Sequence, residues 1–419
     1  AVVALAATAA TGAPAYPAAP VRVADQPFAT VTVEKRIPYA GGTELATDGR
    51  YVFAGQWAGR TERYELPRQG GVRILDTSVS PPKLVGTIRC AGSDMDVAVP
   101  RPGLLVVAHH RSACGVRGNG VTTFDVSDPA HPKRLASIAV PSAHTLTAVP
   151  GTSYVYVSPG GLGNGGSLTT VLDVTNARRP RVANYFYVES LGCHDVTFST
   201  APLGRLRGVC TGWDGVHVWD LTDPVHPKEV AFLDAGKEGI QFAHGSAISP
   251  DGGLLVVNDE AYLHHQCDGS GEEGALHLYD ITAIGKPVPL GVIKPPRGRQ
   301  RFSGEDAGTW CTSHQLNFAP NSRRLVNAWF SGGVSVWDLT VPTQPREVAH
   351  YVGSGAVVWT AHWINDRIWV NDMTRGLEVL RLSELPVDPP VSPSWVPASA
   401  PRARLTFDRG RPPSAVCPA

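Results

Sequence analysis

The chain has no excess of charge of either sign. Its 37 lysines and arginines balance its 37 aspartates and glutamates, and charged residues make up only 18% of the sequence. A protein that binds nucleic acid normally carries a basic patch or stripe that neutralises phosphate groups. The sequence therefore predicts no nucleic-acid partner.

Long apolar runs are missing beyond the first residues. No later stretch reaches the roughly 18 apolar residues that a membrane-spanning helix needs, so we expect no transmembrane span. Residues 1–27 form an Ala/Pro-rich leader, and its opening residues are typical of the second half of a secretory signal peptide. The alternative is a leader without regular structure. We expect export, either into the medium or to the cell surface.

Common catalytic motifs are absent too. The sequence contains no Gly-x-Ser-x-Gly, no Walker A loop, no His-Glu-x-x-His and no Cys-x-x-Cys-His. These absences argue against α/β-hydrolases, P-loop enzymes, zincin proteases and c-type cytochromes. Any chemistry must therefore come from residues that the fold brings together.

One phrase recurs along the whole chain instead. Each copy reads as a strand of alternating polarity that ends in Asp, followed by a turn rich in Thr, Ser and Pro, as in residues 215–227. The strands end at Asp76, Asp125, Asp173, Asp220, Asp280 and Asp338, and at Arg381 in a degenerate seventh copy. The successive steps are 49, 48, 47, 60, 58 and 43 residues, which is typical of β-propeller blades. We predict an all-β fold, a seven-bladed β-propeller over residues 28–386.

The ring is predicted to close through its N-terminal strand. Residues 28–38 resemble the outer strand that follows each Asp turn, whereas no such strand follows the seventh copy. Pairing the first strand with the last blade removes the open edges of the ring. Residues 387–419 are Pro-rich and lack alternation, so we predict a C-terminal tail there.

The repeated phrase Gly-Val-x-Val-x-Asp-x-Thr/Ser-x-Pro-x-x-Pro resembles the LVIVD-repeat family of secreted and surface-associated bacterial β-propellers. The resemblance covers about residues 28–386. It implies the propeller fold and export, and it implies little about chemistry. Two copies of the phrase contain Trp-Asp, at Trp219-Asp220 and Trp337-Asp338, which is similar to the WD40 signature, but the usual Gly-His partner and the shorter WD40 spacing are not kept.

A second pattern appears when the blades are aligned on their inner strands. Five blades place a His where the chain begins this strand, in steps of 50, 50, 70 and 48 residues: His144, His194, His244, His314 and His362. The second blade has Asp94 in the same slot. In a propeller this position faces the central channel, so we expect these side chains to converge on the axis.

The predicted ring of imidazoles has two main interpretations. Imidazole is the commonest transition-metal ligand, and three or four of these residues could hold copper, with zinc, iron or calcium less favoured. In the other interpretation each His bonds the backbone of the neighbouring blade and serves packing. A metal-free pocket for a substrate or an anion is a third.

Loops at the same end of the ring carry further candidates. Second-tier ligands are His109, His110, His264 and His265. Asp259 and Glu260 end a strand of the fifth blade near the proposed site, and they are the candidate acid/base groups. Exposed loop residues without such a role are the ordinary alternative for all of them.

Six of the seven cysteines are predicted to lie at this same end of the ring. Paired as neighbours they are Cys90 with Cys114, Cys193 with Cys210, and Cys267 with Cys311, and Cys417 is left over. Disulfides are typical of an oxidising compartment. The competing interpretation is thiolate ligation of a metal by Cys193 beside His194.

The leading functional hypothesis is an exported, monomeric propeller that binds copper at its axial mouth, the end of the channel where the inner strands begin. There it would oxidise a small molecule or a peptide. The alternative hypothesis is a non-catalytic binding or scaffolding propeller whose histidines are structural.

Overall fold

A computed structural model describes most of the predicted propeller. The described residues are 29–58, 70–90, 96–109, 114, 117–141, 143–160, 168–188, 192–201, 204–261, 273–295 and 311–383. The predicted leader and tail lie outside these residues, as do Asp94, His110, His264, His265 and Cys267.

Seven antiparallel sheets of four strands form the blades. Six of them run in chain order from the inner to the outer strand, and the seventh takes its outer strand from the N-terminal end of the described chain. Blade 1 contains β2 (Gly42–Thr47), β3 (Tyr51–Gln56), β4 (Gly70–Asp76) and β5 (Lys83–Cys90). Blade 2 contains β6 (Val97–Arg101), β7 (Leu104–His109), β8 (Gly120–Asp125) and β9 (Lys133–Ala139). Blade 3 contains β10 (Thr145–Ala148), β11 (Tyr154–Ser158), β12 (Leu168–Asp173) and β13 (Arg181–Tyr187).

The other blades repeat this plan. Blade 4 contains β14 (Asp195–Ser199), β15 (Arg207–Thr211), β16 (Gly215–Asp220) and β17 (Lys228–Asp234), and it is followed by the short helix α1 (Ala235–Glu238). Blade 5 contains β18 (Ala243–Ile248), β19 (Leu254–Asp259), β20 (Leu276–Asp280) and β21 (Val288–Ile293). Blade 6 contains β22 (Leu316–Phe318), β23 (Arg324–Ala328), β24 (Val334–Asp338) and β25 (Arg346–Tyr351). Blade 7 contains β26 (Val358–Ile364), β27 (Arg367–Asp372), β28 (Gly376–Leu382) and β1 (Val31–Ile37).

The repeated Asp shapes the turn after each third strand. Its Oδ1 accepts a hydrogen bond of 2.8–3.0 Å from the backbone N–H two residues further on in all six regular copies. This side-chain turn ends the strand and sends the chain back into the outer strand. The predicted role of the motif is therefore confirmed.

The N-terminal strand closes the ring as predicted. Strand β1 pairs with β28 from Val31 opposite Leu382 to Ile37 opposite Leu377. Arg381, which replaces the repeated Asp, donates to Glu34 of β1, and Arg367 Nε donates to the same carboxylate at 2.6 Å. Blade 3 has the opposite order of charge, because Asp173 of its third strand accepts from Arg181 of its outer strand at 2.8 Å. The degenerate seventh copy therefore has a cation, Arg381, where the other copies have Asp, and this cation matches the carboxylate of Glu34 in the closing strand.

Apolar side chains fill each interface between neighbouring blades. Seven buried clusters each combine side chains of two adjacent blades, and one of them joins blade 7 to blade 1. The inner strands also contact one another in an unbroken circle. Side chains at the same position of each inner strand therefore meet around one axis. In the described part of the chain, no helix has the length and apolarity needed to cross a membrane.

Reversing the charge of the closing strand should weaken the ring. The substitution Glu34→Arg sets three cations together at a site where the Glu34 and Arg367 side chains are only 16% and 11% exposed. We expect a loss of about 2 kcal/mol in unfolding free energy, which is the cost of breaking a buried pair reduced for partial exposure. Thermal unfolding and limited proteolysis of β1 measure the effect.

The double variant Glu34→Arg/Arg381→Glu should recover part of this loss. The exposed pair of Asp128 and His131 offers a control, since both side chains lie mostly in solvent and Asp128→Asn is expected to unfold like the wild type. If Glu34→Arg unfolds like the wild type, the backbone ladder alone holds β1.

Candidate functional site

Four of the five predicted imidazoles lie side by side where the inner strands begin. The ring centroids of His144 and His194 are 4.7 Å apart, those of His194 and His244 4.1 Å, and those of His244 and His314 4.2 Å. They form a continuous row across blades 3 to 6, which we call the His row.

The backbone positions these rings in a repeated way. The N–H groups of His144, His194 and His314 donate to the last carbonyl of the second strand of their own blades, at 2.9, 2.6 and 2.9 Å. This bond fixes where the chain turns into the inner strand. Gly160 leaves room for the first ring, because a Cβ there would lie 2.4 Å from His144 Cγ, and its φ of +74° favours glycine.

Two rings of the row donate to the backbone of the next blade. Nδ1 of His194 lies 2.9 Å from the carbonyl oxygen of His244, and Nδ1 of His314 lies 2.7 Å from that of Trp359. Because a carbonyl only accepts, Nδ1 carries the proton and Nε2 is left as the basic nitrogen. Metal-binding His residues have this arrangement. Structural His residues have it too, so the contact alone does not separate the two interpretations.

Burial favours the neutral form of the row. Burial lowers the pKa of His314 to about 3. Burial, with the neighbouring His194 and His314 rings, also lowers the pKa of His244 well below its usual value. Neutral imidazole is the form that binds metal ions.

The Glu260 carboxyl faces the His row. Its Oε2 lies 3.5 Å from Nε2 of His244. One nitrogen of His314 completes a set in which the three donor atoms lie within 4.8 Å of one another, and all three residues are buried. Burial, followed by the charge of Asp259, raises the pKa of Glu260 to about 8. We call His244, Glu260 and His314 the metal-candidate triad.

The fifth predicted imidazole lies elsewhere. The ring next to His314 belongs to Trp359, with centroids 4.4 Å apart, so Trp359 fills the blade 7 slot. His362 lies three residues further along β26, where burial lowers its pKa to about 4 against a hydrogen bond with the backbone of Leu45. Strand β26 has a register shift between Val358 and Thr360. Strand β18 has the same shift around His244, so the shift does not set blade 7 apart. Blade 7 has Trp in the slot and a His three residues later, and an alignment on His residues therefore selected a residue outside the slot.

Asp259 has the contacts of a structural brace. Its Oδ1 accepts from the backbone N–H groups of Gln241 and Phe242 at 3.0 and 2.9 Å, and its Oδ2 accepts from that of Gly274 at 3.0 Å. Burial raises its pKa to about 6 against these bonds. Of the two candidate acid/base groups, only Glu260 approaches the His row through a described side-chain contact.

The second-tier ligand His109 is fully buried within blade 2. Its Nε2 lies 3.2 Å from Oγ1 of Thr122 in the neighbouring strand. It therefore occupies a packing position inside its own blade. The other second-tier residues, Asp94, His110, His264 and His265, lie outside the described part of the chain.

A disulfide lies directly beside the His row. Cys193 and Cys210 are bonded as predicted, with their Cα atoms 5.3 Å apart. Cys193 is therefore not the thiolate ligand of the competing interpretation. Cys114 and Cys311 are also disulfide-bonded. Their predicted partners, Cys90 and Cys267, lie outside the described side chains.

A layer of carboxyl groups follows the His row, one residue further along the inner strands. It consists of Glu44 in blade 1, Asp96 in blade 2 and Asp195 in blade 4. Burial raises the pKa of Glu44 to about 7 and that of Asp195 to about 6. Burial, and then the charges of Glu44 and Asp195, raises the pKa of Asp96 well above its usual value. We call these three residues the carboxyl layer.

Aromatic side chains flank the His row. Phe242 stacks on Trp213 with centroids 4.2 Å apart and meets the His194 ring edge-on at 5.0 Å. Trp359 meets Trp57 edge-on at 5.8 Å. Trp57, Trp213 and Trp359 are each partly exposed. The mouth therefore offers flat apolar walls beside basic nitrogens and a carboxyl group.

Sequence analysis missed Trp359 and the carboxyl layer. The only sequence signal was that a polar residue directly follows His194 and His314, namely Asp195 and Gln315, and such residues are common in strands. Trp359 had none, since nothing in the repeat marks its slot. Asn258 was also not predicted, although it directly follows the apolar run of β19.

Known structures share this fold. The crystal structure of Sqt1 from Saccharomyces cerevisiae is similar with a TM-score of 0.52 at 12% identity, over 84% of this chain and 88% of that one. A chain in the crystal structure of the Mitotic Checkpoint Complex gives 0.59 at 11% identity, over 88% of this chain and 100% of that one. These neighbours are WD40 propellers, and such low identity shows the fold alone. No protein-family profile matches the chain, so the LVIVD-repeat resemblance stays a prediction.

Replacing Glu44 with Gln should remove a pH dependence of stability. Because the pKa of Glu44 rises from 4.5 to about 7 on folding, the folded state favours its protonated form. That contribution is complete below the unfolded pKa of about 4.5 and is lost as the pH rises through about 7. We expect Glu44→Gln to gain unfolding free energy relative to the wild type between about pH 5 and pH 8, as measured by urea unfolding.

The control for this experiment is Asp366→Asn, at a carboxyl group that is 59% exposed. This variant removes a carboxyl group at the surface of the ring, and the slope of its unfolding free energy against pH is compared with those of the wild type and of Glu44→Gln. A parallel profile for Glu44→Gln would contradict the prediction and place the Glu44 ionisation at its usual pH.

Proposed function

We propose that this protein is an exported propeller that binds a transition-metal ion at its axial mouth and oxidises a small molecule or a peptide there. The observation that carries the proposal is the metal-candidate triad, in which three buried donor atoms lie within 4.8 Å of one another.

The spacing of the donors supports this proposal. Donor atoms bound to one metal ion at 2.0–2.2 Å lie roughly 3–3.5 Å apart. The 3.5 Å between His244 Nε2 and Glu260 Oε2 is already in this range. His314 would have to approach by roughly 1 Å to complete the set. Burial raises the pKa of Glu260, so binding would displace the proton of its carboxyl group, since ligands must be deprotonated.

The donor types favour a transition metal of borderline softness. Two imidazoles and one carboxylate suit copper, zinc and iron, and copper(II) has the highest intrinsic affinity among these for such nitrogen and oxygen donors. Copper is therefore the metal that we propose. The partly exposed Trp57, Trp213 and Trp359 would supply flat surfaces against which an apolar or aromatic substrate could rest.

Export is supported by the cysteine chemistry. The Cys193–Cys210 disulfide and the bonded Cys114 and Cys311 are typical of proteins that fold in an oxidising compartment. This agrees with the signal-like leader and with the LVIVD-repeat resemblance, which we retain as part of the proposal.

A second candidate function is a non-catalytic binding or scaffolding propeller. The bonds from His194 and His314 to the backbone of the next blade favour it, because they give these rings a structural role without a metal. In that case the His row holds blades together and binding takes place elsewhere on the ring.

Metal content separates the two candidates. We expect near-stoichiometric copper in protein purified from an export-competent host and measured by mass spectrometry. His314→Ala and Glu260→Gln should each reduce the copper content at least tenfold, because each removes one of three ligands. His131→Ala and His226→Ala are matched controls, since their side chains are 78% and 69% exposed, and they should retain the metal.

The opposite result would favour the scaffold. The metal proposal would be contradicted if the wild-type protein is metal-free and His314→Ala has a lower thermal midpoint than the two surface controls.

A further inference from the structure

At the level of the carboxyl layer, blade 5 contributes no side chain. Blade 4 places Asp195 and blade 6 places Gln315 at this level, whereas blade 5 has Gly245. A Cβ added to Gly245 would lie 3.0 Å from Asn258 Oδ1, 3.4 Å from Asp195 Oδ2 and 3.9 Å from Gln315 Oε1. Three side-chain oxygens from three blades therefore surround one small space, which we call the Gly245 space.

Asn258 directs an acceptor without a described partner into this space. The residue is fully buried, and its Nδ2 donates to the carbonyl oxygen of His314 at 2.6 Å. That bond sets the orientation of the amide and turns Oδ1 toward Gly245. Among the described residues Oδ1 has no hydrogen-bond partner. A buried acceptor left in this way is costly and needs a donor or a cation.

The acidic groups near the Gly245 space repel one another when they are ionised. Apart from burial, the charges of Glu44 and Asp195 are the influences that most raise the pKa of Asp96. His144 is the one basic group among the main influences on Asp195, and Gln315 bonds to both Asp195 and Glu44. A cation in the space would relieve the mutual repulsion of the three carboxylates.

We propose that the Gly245 space is a calcium site, with Asp195, Asn258 and Gln315 as its protein ligands. Calcium prefers carboxylate and amide oxygens, often completed by water, whereas copper and zinc prefer the imidazoles of the neighbouring His row. Calcium–oxygen distances of about 2.3–2.6 Å are shorter than the 3.0, 3.4 and 3.9 Å measured from the Cβ position. All three side chains would therefore move inward on binding, and Gln315 would move the furthest, by roughly 1.3 Å or more. The site uses none of the donor atoms of the metal-candidate triad, so it stands independently of the proposed function.

Calcium bound here would join three blades at the axis. Asp195 belongs to β14, Asn258 to β19, and Gln315 directly precedes β22. Asn258 also lies two residues before Glu260, and Gln315 directly follows His314. Calcium would therefore hold in place the two strands that position the metal-candidate triad.

The test is calcium titration of the full chain after removal of metals by a chelator, followed by isothermal calorimetry. We expect one saturable calcium site, with magnesium at least tenfold weaker, because magnesium demands shorter bonds and a stricter octahedron. Calcium should also raise the thermal midpoint, since it binds only the folded state.

Gly245→Ala tests the space itself. The backbone of Gly245 lies outside the left-handed region, so its conformation suits Ala. The added Cβ would occupy the space and press on Asn258 Oδ1 at 3.0 Å. We expect at least a tenfold loss of calcium affinity. The matched control is Gly285→Ala, whose Cβ would meet its nearest neighbour, the carbonyl oxygen of Val230, at an ordinary 3.5 Å, and which should bind calcium like the wild type.

Asp195→Asn provides a second variant if Gly245→Ala unfolds. It removes the ligand charge, keeps the side-chain shape and should also lose at least tenfold in affinity. The proposal is overturned if the wild type shows no saturable calcium binding. It is also overturned if Gly245→Ala binds calcium as tightly as Gly285→Ala. Where Gly245→Ala is unfolded, Asp195→Asn takes its place in this comparison. Copper content reports the triad separately, since His314→Ala should lose copper and keep calcium.

Discussion

Closure of the ring is the constraint on which the rest of the structure depends. A blade has two apolar faces, and it can bury both only when another blade stands on each side. The pairing of β1 with β28 supplies the last outer strand, and Glu34 between Arg367 and Arg381 fixes the charge of that pairing. With the ring closed, every blade interface is filled and the inner strands meet around the axis.

That circle of inner strands explains why polar groups are concentrated at the axis. The same strand position recurs in each blade, so one slot brings imidazoles together and the next brings carboxyl groups together. Away from water, charged forms are penalised, which lowers the pKa of His314 and raises those of Glu44 and Asp195. The axis thus favours neutral imidazoles and protonated acids until a cation enters. At each proposed metal site, the positive charge of a bound ion would offset this penalty.

Much of the fold could be predicted from the sequence, because its signals are local. Alternating polarity, the Asp turn and the missing last strand each depend on a few neighbouring residues. The site was less predictable, because it depends on register between blades. His362 shares the His pattern but lies three residues from the slot that Trp359 fills, because blade 7 has Trp in the slot and a His only further along β26. Glu44 and Asp195 look like ordinary polar strand residues until the ring places them on one axis.

Strand β19 of blade 5 connects the two layers of the axis. Successive side chains of a strand point to opposite faces, so Asn258 and Glu260 share one side and Asp259 takes the other. Asp259 accordingly braces the loops on its side, holding the N–H groups of Phe242 and Gly274. The two neighbours instead face the axis, where Asn258 adjoins Asp195 and Glu260 adjoins His244. A buried brace between two residues on the other side of the strand explains why this strand end carries three polar residues after an apolar run. Because β19 carries a residue of each proposed site, an ion bound at one of them would affect the other.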